Sequence, residues 1–136
     1  MQRQGQSINE SSSIVVTAPV EREAPCKKAC NVLLCVTGSV AAIRVPELVH
    51  LLIALEGVRE VRVVVTEHSL PFLSTQGPLP AHIQVLADDD EWKAWNKLGD
   101  AVLHIELRNW ADVLVVAPLS ANSLAKIALG ICDNLV

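Results

Sequence analysis

VLHIELRNWADVLVVAPLSANSLAKIALGICDNL, residues 102–135, decides the fold of this chain. His104–Trp110 has the spacing of a short amphipathic helix, and Asp112–Val116 is an apolar run that predicts a central strand of a sheet. Ala121–Leu129 is a second helix, closed by Gly130. Between strand and helix lies Pro118-Leu119-Ser120-Ala121-Asn122-Ser123, a loop of small hydroxyl and amide residues. An α/β domain builds ligand sites from such loops at the carboxyl ends of its strands.

Upstream, the same alternation repeats. Asn31–Val36 (NVLLCV) is a continuous apolar run, the mark of a strand buried on both faces, and Thr37-Gly38-Ser39 breaks it. Val40–Leu55 has helical spacing through Ile43, Leu48, Leu51, Leu52 and Leu55. Pro46 inside it predicts a kink or a late start to the regular helix, and Gly57 ends it. Glu60–Val65 reads as the second strand, followed by Thr66 and a short helix through Phe72. Gly77, Pro78 and Pro80 mark a loop before a third strand at Ile83–Leu86. The order β-α-β-α-β-α-α-β-α predicts a parallel sheet with right-handed crossovers.

Composition narrows the class. The chain has 136 residues, enough for one domain, and 51% are hydrophobic with one Phe, three Trp and no Tyr. Its core must therefore be Val, Leu, Ile and Ala, as in parallel sheets covered by helices. Residues 1–28 are rich in Gln, Ser and Glu and read as a disordered tail, leaving 29–136 as the domain. A net charge of −4 without a basic stripe argues against a nucleic-acid partner. Cys26, Cys30, Cys35 and Cys132 form no CxxC pair and read as reduced thiols of a cytoplasmic protein. No apolar run approaches the roughly 20 residues that span a bilayer. Asp88-Asp89-Asp90-Glu91 reads as the acidic first turn of a helix rather than a metal site, so no metal is expected.

Three strand ends carry groups suited to a ligand. The turn TGSVA at 37–41 offers helix-start amides and the Ser39 hydroxyl, which suit a phosphate, although a simple Gly-Ser cap accounts for them equally well. It matches neither GxGxxG nor the phosphate-binding P-loop. Thr66 and Ser69 follow the second strand; Ser120, Asn122 and Ser123 follow the last. Together they predict a phosphorylated aromatic cofactor at one edge of the sheet. His104 precedes a helix whose apolar face, Ile105, Leu107 and Trp110, is expected to dock on the sheet and hold the imidazole near the strand end at Ala117. His50 lies mid-helix, and His68 and His82 lie in or beside turns.

GSVAAIRVPEL at 38–48, VVVTEHSLPFL at 63–73 and the long run from Asp88 through DEW, VLHIELR and WAD to Leu135 carry a resemblance. The chain resembles the 4′-phosphopantothenoylcysteine decarboxylases of the plant salt-tolerance type, among the homo-oligomeric flavin-containing cysteine decarboxylases. The resemblance implies a flavodoxin-like (Rossmann-type) doubly wound parallel sheet, assembly as a homotrimer, and FMN bound near a subunit interface. It assigns Gly38, Ser39, Val40, Ser69, Leu70, Ala117, Ser120, Ala121, Asn122, Ser123 and Leu124 to the flavin, and His104 to catalysis. The implied substrate is 4′-phosphopantothenoylcysteine. Two electrons pass from its cysteinyl end to the flavin, carbon dioxide leaves, and the electrons return to give 4′-phosphopantetheine on the route to coenzyme A.

The family pattern continues past DNL with a PxMNxxMW segment, whose Asn grips the substrate carboxylate, and a flap bearing a proton-donating Cys. The expectation is therefore a domain truncated after the fourth strand and its helix, with an unpaired sheet edge and poor solubility on its own. Asn109 stands where the family commonly has Arg, and Ala125 and Leu129 where it has Gly. The alternative is a catalytically impaired flavoprotein acting as an interaction or regulatory subunit, for example of a protein phosphatase. Prenyl-flavin synthases of similar fold lack the DEW, VLHIELR and WAD run.

Overall fold

The computed structural model describes residues 29–73, 75 and 77–136; the tail expected over 1–28, with Cys26, lies outside the described residues. Strand β1 (Cys30–Val36) has apolar surroundings on both of its faces. Val32, Leu34 and Val36 join Ala42, Val45, Val49, Val61, Val63, Val65 and Ile83 on one side. Leu33 and Cys35 join Val64, Leu86 and Leu107 on the other. A strand buried on both faces needs an apolar residue at every position, which is why NVLLCV does not alternate.

The remaining strands are β2 (Val58–Val65), β3 (Gln84–Leu86) and β4 (Val113–Val116). All pair in parallel, in the order β3-β2-β1-β4. Helix α1 (Val45–Ala54) covers the first face. On the second face lies α4 (Leu103–Trp110), through Leu107. This is the doubly wound parallel architecture expected. The chain's direction across the sheet reverses between β1 and β4, and α/β proteins open a crevice at such a reversal.

Local chemistry sets the helix boundaries. Val40–Arg44 forms a 3-10 turn, and α1 starts late with Pro46 in its first turn, where a missing N–H breaks no helical bond. After the 3-10 turn Glu67–Ser69 comes α2 (Leu70–Leu73). Helix α3 (Asp88–Ala94) places all four acids in its first turn, as expected. Helix α5 (Ala121–Leu129) ends at Gly130, whose φ of 68° is left-handed and disfavours any residue with a Cβ. Just beyond, the Lys126 ammonium bonds Asp133 at 2.7 Å and holds that carboxyl below its ordinary range. No helix among the described residues is long and apolar enough to cross a membrane.

Two expectations fail. The run at 112–116 is not a central strand: β4 pairs only with β1 among the described residues, and Val113 and Leu114 are exposed. Its composition suits a buried strand, but composition does not order the strands. Ile105 does not dock on the sheet either; it is exposed, while Leu103, Leu107 and Trp110 face the second core cluster. The helix begins at Leu103, and the spacing of four then three from there selects that stripe. Trp110 also receives the Arg62 guanidinium, 4.1 Å from the ring centroid.

Candidate functional site

The loops after β1, β2 and β4 are tied into one surface at the carboxyl edge of the sheet. Thr37 is the centre of the tie and is fully buried. Its N–H donates to the Pro118 carbonyl at 3.2 Å. Its hydroxyl donates to the same carbonyl at 2.7 Å and accepts the Ser120 N–H at 2.7 Å. On the other side, the Thr66 N–H donates to the Val36 carbonyl at 3.0 Å. Gly38 sits directly against His68, and a Cβ on Gly38 would fall 2.7 Å from the His68 Cβ. Only glycine permits that approach.

Several hydroxyls expected to face a ligand serve the turns themselves. Ser39 caps its 3-10 turn by accepting the Ala41 N–H at 3.3 Å. Ser69 is buried and donates to the Thr66 carbonyl at 2.6 Å. Ser120 caps α5: its oxygen accepts the Ser123 N–H at 3.1 Å, and its hydroxyl donates to the Ser123 hydroxyl at 3.1 Å. What these turns leave open is backbone. The N–H groups of Gly38, Ser39, Val40, Ala121 and Asn122 find no partner among the described residues, and neither does the Asn122 side chain. Val40, Leu70 and Leu124 add exposed apolar side chains on the same loops, and Ala117 is half-buried behind them. Unpaired amides beside apolar side chains suit an anionic group joined to a planar ring with polar edges. The donor set therefore fits a flavin mononucleotide.

His104 stands in the first turn of α4, and its Nδ1 lies 2.6 Å from Oε1 of Glu91 on α3. That carboxylate holds the ring, in place of the expected docking by Ile105. No hydrogen bond among the described residues joins His104 to Ala117 or to the three loops. The imidazole borders a hollow of about 290 Å³ together with Leu33, Cys35, Leu107, Leu114 and Leu135. Burial pushes the Cys35 thiol up to about 11, so it is a neutral wall of that hollow at physiological pH.

Thr37 and Glu91 enter the sequence reading only as the break after a strand and as one of four acids opening a helix, without a site role of their own. Thr37 carries a visible sign, a hydroxyl between an unbroken apolar strand and a glycine. Glu91 carries none, since its partner belongs to another helix 13 positions on.

Comparison with known proteins decides the family: a family model described as Flavoprotein matches residues 20–136. The chain belongs to the Flavoprotein family. This flavoprotein is 57% identical over 106 residues to the phosphopantothenoylcysteine decarboxylase of Arabidopsis thaliana, covering 78% of this chain and 49% of that protein. It aligns with the solved FMN binding protein AtHal3 at a TM-score of 0.72 and 55% identity, over 79% of this chain and 56% of that one. A PPC decarboxylase mutant complexed with pantothenoylaminoethenethiol also aligns at 0.72, with 56% identity over 79% of this chain and 57% of that chain. The flavoprotein spans about half the length of the curated relatives it matches.

Proposed function

We propose that this flavoprotein binds FMN and acts in the decarboxylation of 4′-phosphopantothenoylcysteine to 4′-phosphopantetheine, a step of coenzyme A biosynthesis. The observation that carries the reading is the tie through Thr37 and Gly38, which gathers unpartnered amides at the reversal point of the sheet. Gly38, Ser39 and Val40 supply amides for an anion; Leu70 forms the second wall, with Ser69 buried behind it holding the turn. Ala117 and residues Ser120, Ala121, Asn122, Ser123 and Leu124 form the edge beside the ring. FMN supplies the two-electron acceptor that makes loss of the carboxylate feasible. His104 handles a proton or orients the substrate, as an imidazole can near neutral pH. The names of the relatives favour an enzyme over a regulatory subunit.

The same reading includes a homotrimer with FMN near the subunit interface, working in the cytoplasm on this one small-molecule substrate. Purified protein incubated with FMN is expected to keep a flavin absorbance band through gel filtration at trimer mass, and to release carbon dioxide from 4′-phosphopantothenoylcysteine. His104→Asn is expected to keep the band and lose the release. Failure to retain flavin would end the proposal.

A further inference from the structure

The four acids that open α3 each have their own partner. Asp88 accepts the Leu135 N–H at 2.6 Å, and Asp90 accepts the Ala87 N–H at 2.8 Å. Asp89 lies 3.9 Å from the Lys93 ammonium. The capping bond is thus made by Asp90. Glu91 alone reaches a titratable side chain on another helix, His104, and it is the more shielded member of that pair, at 23% against 59% exposure.

That contact has a direction. An ionised carboxylate only accepts, so at 2.6 Å the imidazole must donate from Nδ1. A neutral ring whose proton sits on Nδ1 carries its lone pair on Nε2. Nε2 has no partner among the described residues. We propose that Glu91 is a positioning residue that holds neutral His104 as the Nδ1–H tautomer, which leaves Nε2 as the nitrogen that takes a proton from, or returns it to, the substrate. The catalytic half of this statement rests on the reading of His104 given under Proposed function; the tautomeric half does not.

The experiment uses the whole chain with its histidine rings labelled with 15N. Long-range 1H–15N spectra, recorded where His104 is neutral, are expected to show the proton on Nδ1 in the parent protein. Glu91→Ala removes the acceptor. Glu91→Met removes it while keeping the side chain's bulk and helix preference, so a folded variant is at hand if the alanine one collapses. In either variant the Nδ1–H signature is expected to give way to a mixture dominated by Nε2–H. A parent ring already protonated on Nε2, or a signature indifferent to both substitutions, overturns the proposal.

Turnover of the FMN-loaded protein then separates positioning from general support. Glu91→Met is expected to lower kcat by about 10-fold or more, with KM little changed, as loss of a partner that orients a histidine does elsewhere. In the His104→Asn background the same substitution is expected to have no further effect. A full second loss in that background, or an unchanged kcat in the single variant, overturns the positioning role. Whether His104→Asn alone abolishes turnover tests the earlier reading by itself, whatever the spectra show.

Discussion

Thr37 donates and accepts with one hydroxyl, and its two partners lie 81 and 83 positions away. Thr37→Val keeps the shape but strands the Ser120 N–H and removes a donor from Pro118. The expected loss is about 1–3 kcal/mol of unfolding free energy in urea, with most of it restored by Thr37→Ser. Gly38→Ala drives one Cβ into another, and neither atom is the free end of a side chain. It is expected to destabilise by about 1–3 kcal/mol and to weaken flavin retention. Adding His68→Gly removes the opposing Cβ, so the double variant is expected to regain flavin retention in an equilibrium-dialysis titration. The polar character of these loops was legible in the sequence. Which hydroxyl serves a turn and which joins two loops was not, because that depends on partners that no local window contains.

The strands and helices were legible to within a few residues wherever one periodicity dominated. NVLLCV announced a strand with two buried faces, and Pro46 announced a late helix start. Strand order was another matter. VLVV at 113–116 reads the same whether it lies at the middle or the edge of a sheet, and only its pairing decides. The stripe on α4 runs through Leu103 and not Ile105 because residues three and four apart share a helix face, whereas Ile105, two positions from Leu107, lies on the opposite one.

The second face of β1 carries its own prediction, through Cys35. Its thiol is raised from 9.0 to about 11 by burial, so the folded state keeps a proton that the unfolded chain loses first. Stability is therefore complete below the unfolded value and falls as pH rises from about 9 towards 11, by about 2–3 kcal/mol at most. Cys35→Val is expected to remove that part of the alkaline dependence, read as a smaller fall in urea midpoint between pH 8 and pH 11. In a thiol-labelling time course on the native protein, exposed Cys132 is expected to react well before Cys35.

Across the whole molecule, helical cover is uneven. The face under α1 leaves only a small hollow of about 80 Å³ by Ile53, Val61 and Ile83, whereas the face under α4 leaves the larger hollow beside His104, and β4 shows Leu114 at 61% exposure with one edge unpaired among the described residues. A free parallel edge with apolar side chains invites association. The 136-residue chain is expected to show concentration-dependent mass in sedimentation velocity. Leu114→Lys is expected to reduce it; an unchanged profile would assign the association to another surface.

The position of β1 between β2 and β4 also governs when the loop surface forms. The ribosome delivers β1 first, yet β1 pairs with β4 only after about 80 further residues have emerged, Val32 meeting Val113 in register. Closing so long a loop is the slow, high-contact-order event of such a topology. Because Thr37, Pro118 and Ser120 meet only across that pairing, the loop surface is a late product of folding. A ligand gripped there recognises only the finished sheet and stabilises it by mass action. In stopped-flow experiments, added FMN is then expected to slow unfolding while leaving the refolding rate almost untouched, which makes the ligand a lock on the completed fold.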